Sequence, residues 1–423
     1  MARRRLMHST TATIVRRWRW AATTTAVLLL IGGSVLLAGS RPVGGTADAL
    51  PDRVGTPPWG ALRITDPFPI GAAAVAVSGF GGDDTGAVAV VDAGADRYRV
   101  HRVGVDAPAG EVVLLSPDGT RLAHQWDSAQ GGTGVRIRHL GDRTVAALGP
   151  GDAASVLTRP LAWSPSGDQL VVVDSVPRTS DRSAYAAVVS LVDVADGSVR
   201  KLATVDDTLV AGYAVAFAAD GRRLALQSGS RLTIMDLGSG RRHTLDLPPG
   251  RTLAGKGAWQ PDGQAVALAE RDGDDWRLVA VDPVTGADAP GPRLPTVADV
   301  TAVRLLGWRP DGSALVVAYQ PASAGMSGVW ALSQRIHAGH VGGVQLVSLA
   351  PGADAPTVRM TFADGVRAVD VADRAVATGT VRPAQVPSRW PGPRLWLWLA
   401  VGLAVVVVPV TVRLRRRYRA AGD

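Results

Sequence analysis

Five times along this chain an apolar residue leads into the same short turn. The copies are Leu115-Ser116-Pro117-Asp118-Gly119, Trp163-Ser164-Pro165-Ser166-Gly167, Phe217-Ala218-Ala219-Asp220-Gly221, Trp259-Gln260-Pro261-Asp262-Gly263 and Trp308-Arg309-Pro310-Asp311-Gly312. Their glycines lie 48, 54, 42 and 49 residues apart. Proline presets φ for the first central position of a type I turn. Aspartate bonds its own backbone two residues on, and glycine supplies the positive φ that closes a hairpin. An apolar strand follows each glycine: Leu122-Ala123, Leu170–Val173, Leu224–Leu226, Val266–Leu268 and Leu315–Val317. A degenerate copy, Phe68-Pro69-Ile70-Gly71, precedes Ala72–Val77, 48 residues before Gly119.

A second hairpin follows each of the first. Its strands are expected at Ala87–Asp92 with Tyr98–Val103, Val135–Leu140 with Thr144–Leu148, and Ala187–Val194 with Val199–Ala203. The series continues with Leu232–Leu237 and Arg242–Leu247, Trp276–Asp282 and a return near Ala287–Leu294, and Val344–Leu349 with Thr357–Phe362. Four short strands per repeat is the pattern of propeller blades. A four-stranded sheet apolar on both faces must stack on neighbours, which closes the units into a ring.

The F/W-x-P-D-G-x-x-L-A pattern resembles the repeat of TolB-like propellers, WD-repeat-like relatives found in bacterial envelope proteins, over residues 60–380. It lacks the regular Gly-His and Trp-Asp marks of eukaryotic WD repeats, Trp126-Asp127 being isolated. Six repeats are visible. Residues 366–380 read as the opening hairpin of a seventh, with outer strands drawn from Trp59–Thr65, or as an accessory to a six-bladed ring. The resemblance implies six. The expected fold is all-β: a six- or seven-bladed β-propeller of four-stranded blades, flanked by one N-terminal and one C-terminal transmembrane α-helix.

Those helices come from two uncharged runs, Ala21–Ser40 and Leu395–Val412, each long enough for a bilayer core. Arg16-Arg17-Trp18-Arg19-Trp20 precedes the first, and Arg413 to Arg419 follows the second. The net charge of +8 is lopsided: residues 1–20 carry +6, residues 413–423 carry +4, and the stretch between them carries −2. Basic flanks on the outer sides of both spans put both termini in the cytoplasm and the body across the plasma membrane. The rival for the first run is a cleaved signal peptide with a twin-arginine-like Arg16-Arg17 and small residues at Ala47 and Ala49. The distance from the apolar run to those alanines favours an uncleaved anchor, and both readings export the body. The expected order is a basic tail (1–20), span (21–40), linker (41–58), extracytoplasmic propeller (59–380), linker (381–394), span (395–412) and basic tail (413–423).

A near-neutral body offers no basic stripe for nucleic acid. With no cysteine, disulfides, thiolate nucleophiles and cysteine-ligated zinc are excluded. Lysine is nearly absent, with only Lys201 and Lys256, which reads as the codon bias of a GC-rich bacterial genome. There is no G-x-S-x-G elbow, and a span directly after the last hairpin leaves no room for the hydrolase domain that TolB-like blades precede in prolyl-oligopeptidase-type enzymes. His337 and His340 are a close pair without further ligands nearby, and read as a solvated loop. Asp272-Gly273-Asp274-Asp275 lacks the register and closing glutamate of a calcium loop, and reads as a polar turn. Gly81-Gly82-Asp83-Asp84 reads the same way. Gly131-Gly132-Thr133-Gly134 has neither the lysine nor the helix of a phosphate loop. Trp163, Phe217, Trp259 and Trp308 hold one place in each repeat, which suits packing between blades better than stacking on a ligand.

No catalytic, cofactor-binding or metal-ligating residue is therefore assigned. The function expected is a membrane-anchored binding or scaffold module, partnered by the bilayer through two spans and by a protein or small ligand at the propeller face. The alternative is a lactonase- or lyase-like enzyme at the channel mouth, which requires Asp83, Asp174, Glu270 and Asp272 to converge. The third reading is an envelope sensor, whose tails of 20 and 11 residues would dock another protein rather than hold an output domain.

Overall fold

The turn chemistry appears as written. Gly119, Gly167, Gly221, Gly263 and Gly312 have φ between 67° and 78°. Asp118, Asp220, Asp262 and Asp311 each accept a hydrogen bond from the backbone N–H two residues on, at 2.8–3.0 Å. The computed structural model describes residues 48–66, 69–80, 86–103, 108–127, 133–149, 155–178, 185–205, 214–273, 275–322, 341–387 and 392–420. Two units emerge: one of residues 42–57 and 63–387, the other, among the described residues, of 58–62 and 392–420.

The larger unit is a six-bladed propeller. Reading outward from the axis, the second blade is Val113–Leu115, Arg121–Asp127, Thr133–His139 and Val145–Leu148. The third is Leu157–Trp163, Gln169–Pro177, Tyr185–Asp193 and Val199–Val205, and the fourth Val215–Phe217, Arg223–Ser228, Arg231–Asp236 and Arg242–Asp246. The fifth has three strands, Arg251–Leu253, Val266–Asp272 and Asp275–Val281. The sixth has Ala302–Trp308, Ala314–Pro321, Val341–Leu349 and Thr357–Phe362, with Arg53–Val54 added in parallel outside. Burial falls from the axis outward. The strands Ala73–Ser78 and Ala87–Asp92 are buried throughout, whereas Arg242–Asp246 exposes four of its five residues.

The first blade settles the count. Its innermost strand is Ala368–Val371, paired antiparallel with Ala73–Ser78 in the register Val369↔Val77 and Val371↔Val75. Ala87–Asp92 and Tyr98–Arg102 complete it. The degenerate copy at Phe68–Gly71 thus has no hairpin to close, because the strand that would enter it arrives from the far end of the chain. The expected seventh blade is corrected accordingly. After Val371 there is no Pro-Asp-Gly turn but Asp373–Thr378, which forms the short helix α1, with Gly379 at φ 59° as its left-handed cap. Trp59–Thr65 supplies no outer strands, although Ile64 donates to the Val100 carbonyl at 3.2 Å.

Two further corrections concern the ring's margins. Segment 41–58, expected as a linker, holds the strands Ala49–Pro51 and Arg53–Val54, and the first pairs in parallel with Thr380–Arg382. The return expected at Ala287–Leu294 makes a single isolated bridge, Asp288 with Val281, to the third strand of the fifth blade. Pro290, Pro292 and Pro295 lack the N–H that a ladder needs.

The repeat tryptophans lie between blades, as their fixed place suggested. The indole N–H of Trp163 donates to Leu114 O (3.4 Å), that of Trp259 to Ala216 O (3.1 Å) and that of Trp308 to Gly257 O (3.0 Å), in each case on the preceding blade. Phe217 is buried at the equivalent place in the fourth blade.

The smaller unit holds α2, Pro393–Ala420. Its stretch Arg394–Leu414 has a mean hydropathy of 2.4 and is long enough to cross a bilayer. Val405, Val406 and Val408 are more than half exposed. Pro409 lies inside the helix. The first apolar run, Ala21–Ser40, lies outside the described residues.

Candidate functional site at the ring axis

The polar residues that converge at the axis are Lys256, Arg304, Asp370 and Asp373. The innermost strand of the first blade presents Asp370, which is 1% exposed. Its Oδ2 accepts the Leu115 N–H at 2.9 Å, while Oδ1 lies 3.1 Å from Lys256 Nζ and 3.8 Å from Arg304 Nη2. Lys256 comes from the inner segment of the fifth blade. Its ammonium also meets Asp373 Oδ1 at 2.7 Å and donates to Val371 O at 2.6 Å. Arg304, fully buried, spans from the sixth blade to Gly110 O (2.6 Å) and Val369 O.

Two cations and two carboxylates make this hub neutral overall. Burial works against the charge on Lys256, but Asp370 and Asp373 outweigh it and hold the ammonium above its usual range. A lysine so held is a poor nucleophile, since Schiff-base chemistry needs a depressed pKa. Beside the hub lies a cavity of about 60 Å³, bounded by Leu114, Leu161, Trp163, Phe217, Lys256 and Asp370. That volume suits a few waters rather than a ligand of drug size.

Of the acids weighed for a channel-mouth site, the three that are described, Asp174, Glu270 and Asp272, do not meet. Asp174, fully buried, accepts from Thr158 Oγ1 at 2.6 Å within the third blade. Glu270 is held in the fifth blade between Arg251 (3.1 Å) and Arg277 (2.6 Å), and those guanidinium groups keep its carboxyl below the usual range despite burial. Asp272 closes the turn to Asp275. Asp83, Asp84, Asp274, His337 and His340 lie outside the described residues, as do Gly131 and Gly132; Thr133 opens a strand. Among the described residues no three His, Asp or Glu side chains form a group that could hold a metal.

No family model matches the chain, and none of the curated proteins matches it. Similar solved structures include TolB proteins. That of Acinetobacter baumannii is 21% identical, with 47% of this chain and 46% of that one covered at a TM-score of 0.32. A putative TolB from Agrobacterium tumefaciens is 13% identical, with coverage of 70% and 91% and a TM-score of 0.42. An oligogalacturonate lyase from Vibrio parahaemolyticus is 11% identical, with coverage of 65% and 71% and a TM-score of 0.41. This chain spans about half of the Acinetobacter protein. What these proteins share with it is the propeller fold.

Sequence reasoning missed two constellations. One is the hub itself. Its residues are 256, 304, 370 and 373, and only ring closure brings them together; the sole signal was that Lys256 is one of two lysines. The other is a buried histidine pair between the first two blades. His101 Nε2 lies 3.0 Å from His124 Nε2. The Gln125 carbonyl can only accept, so His124 Nδ1 (2.8 Å) carries the proton and its Nε2 accepts from His101. Desolvation, aided by Arg136 and Arg138, lowers the pKa of His101 to about 2 and that of His124 to about 4.

Proposed function

We propose that this protein is a non-enzymatic binding module: a propeller held on the outer face of the plasma membrane by α2 and by the apolar run Ala21–Ser40. The observation that carries the binding reading is the closed hub. The ionisable groups at the axis are spent on one another and on backbone carbonyls, beside a space for little more than water. The ring's recognition capacity then lies in its blade junctions and surface. The tether is supported by the mean hydropathy of 2.4 over Arg394–Leu414, by Trp396 and Trp398 near one end, and by Arg413, Arg415, Arg416, Arg417 and Arg419 at the other.

Both halves are testable in cells. The chain has no cysteine, so one engineered thiol reports alone. Ser198→Cys, on an exposed turn, should react with a membrane-impermeant maleimide in intact cells, and a cysteine at position 421 only after lysis. The reverse pattern overturns the topology. Photocrosslinking residues at the exposed positions Tyr185, Val284 and Val358 should trap at least one discrete adduct in membranes. Absence of adducts at all of them overturns the binding reading.

A further inference from the structure

Two of the three repeat tryptophans are covered by an arginine from the preceding blade. Arg121 lies 5.1 Å from the centre of the Trp163 ring, and Arg223 lies 4.8 Å from that of Trp259. Both arginines stand two residues after their own turn glycine, Gly119 and Gly221. Both also reach the turn glycine of the blade they cover. Arg223 donates to Gly263 O at 2.8 Å, and Arg121 lies so close to Gly167 that a Cβ there would stand 2.6 Å from its Nη2. Where the aromatic is Phe217, the corresponding residue is Gln169.

Trp308 breaks the rule. The residue two after Gly263 is Ala265, and among the described residues no cation lies over the Trp308 ring. Gly312, the turn glycine of that blade, would meet only a Pro351 side-chain carbon at 3.6 Å. A second reduction coincides with the first. The third-strand residue on the same face is Ile137 in the second blade, Leu191 in the third, Ile234 in the fourth and Val347 in the sixth, but Ala280 in the fifth. Beside Ala280 and Trp308 lies a cavity of about 200 Å³ that opens to the surface, bounded also by Gln260, Ala267, Leu278 and Leu294. Asp288 borders it too, but its carboxylate is engaged by Arg251 at 2.5 Å.

We propose that this cavity is a socket for an arginine side chain supplied by a partner polypeptide. The chain's own arginines show what such a place accepts: a planar guanidinium over an indole face, with the carbonyl of the turn glycine as acceptor. By its place in the repeat, the corresponding turn glycine of this blade is Gly312. The volume is below that of pockets for drug-sized ligands and suits one side chain. The flanking prolines, Pro290, Pro292 and Pro295, keep a fourth strand from closing over it. The inference rests on the binding reading but makes no use of the membrane tether, and the peptide titration can fail while the crosslinks succeed.

The test is titration of the full chain in detergent micelles, labelled with fluorotryptophan. The Trp308 resonance is assigned by Trp308→Phe. The probes are acetyl-Gly-Arg-Gly-amide and its citrulline and norleucine counterparts. The arginine peptide should shift the Trp308 signal saturably and leave Trp163 and Trp259 unmoved. The uncharged citrulline peptide should bind about tenfold more weakly. Ala265→Arg should fill the socket from within and abolish the response, as should Ala280→Ile, which restores the residue of the second and fourth blades. Either variant suffices if the other does not fold. No shift at Trp308, equal binding of the three peptides, or unchanged binding in a folded variant overturns the proposal.

Discussion

At the scale of single residues, the buried histidine pair shows what polar burial does to stability. His101 and His124 are 8% and 4% exposed and stay neutral in the fold. Their folded pKa values, about 2 and 4, lie below the 6.5 of a free imidazole. Below pH 6.5 the unfolded chain therefore takes up protons that the native state refuses. The pair's contribution is complete above pH 6.5 and is lost as the pH falls, down to about 4 for His124 and about 2 for His101. Between pH 7 and 5 the loss is on the order of 3 kcal/mol for the two together. Thermal melts at those pH values should show a smaller acid shift for the double variant His101→Gln/His124→Gln than for the parent. Equal shifts would mean that the pair is not buried as a neutral unit.

At the scale of elements, the third, fifth and sixth blades are each fastened near the inner end to the preceding blade by an indole. Trp259→Phe keeps most of the packing and gives up the hydrogen bond to Ala216, a loss of about 1 kcal/mol. Trp259→Ala empties the junction and should cost about 3–5 kcal/mol. Denaturant unfolding of both variants checks the ratio. Comparable losses would place the indole's contribution in its N–H rather than its bulk. Most of this layer of the fold was legible in advance: the Pro-Asp-Gly turns, the second hairpins of every blade but the fifth, and the aromatic or leucine before each turn follow from local chemistry. A second marker went unread. Asp92, Asp193 and Asp236 end the third strand of their blades, Asp282 directly follows that of the fifth, and all four accept backbone N–H groups two or three residues on. The failed fourth strand of the fifth blade was also written in Pro290, Pro292 and Pro295, each of which removes a ladder donor.

At the scale of the whole molecule, a ring of sheets is only as closed as its seam. Asp370 sits in the strand that closes it and bonds across to the second, fifth and sixth blades. Lys256→Met strands that carboxylate, and breaking a buried pair in this way costs about 3–5 kcal/mol, less here because Asp373 is partly solvated. Hydrogen exchange should then quicken first at Ala74 and Ala76, whose N–H groups point to the closing strand. Uniform acceleration around the ring would show that the hub does not guard the seam. None of this was visible in the linear chain, because residues 256, 304 and 370 become neighbours only when the first and last strands meet. The same closure fixes how the fold answers to tension. Ala49–Pro51 and Thr380–Arg382 run side by side in one direction, so the incoming and outgoing flanks leave that pair from opposite ends. A pull between them slides one strand along the other and loads every bond of the pair at once, where a hairpin would unzip rung by rung.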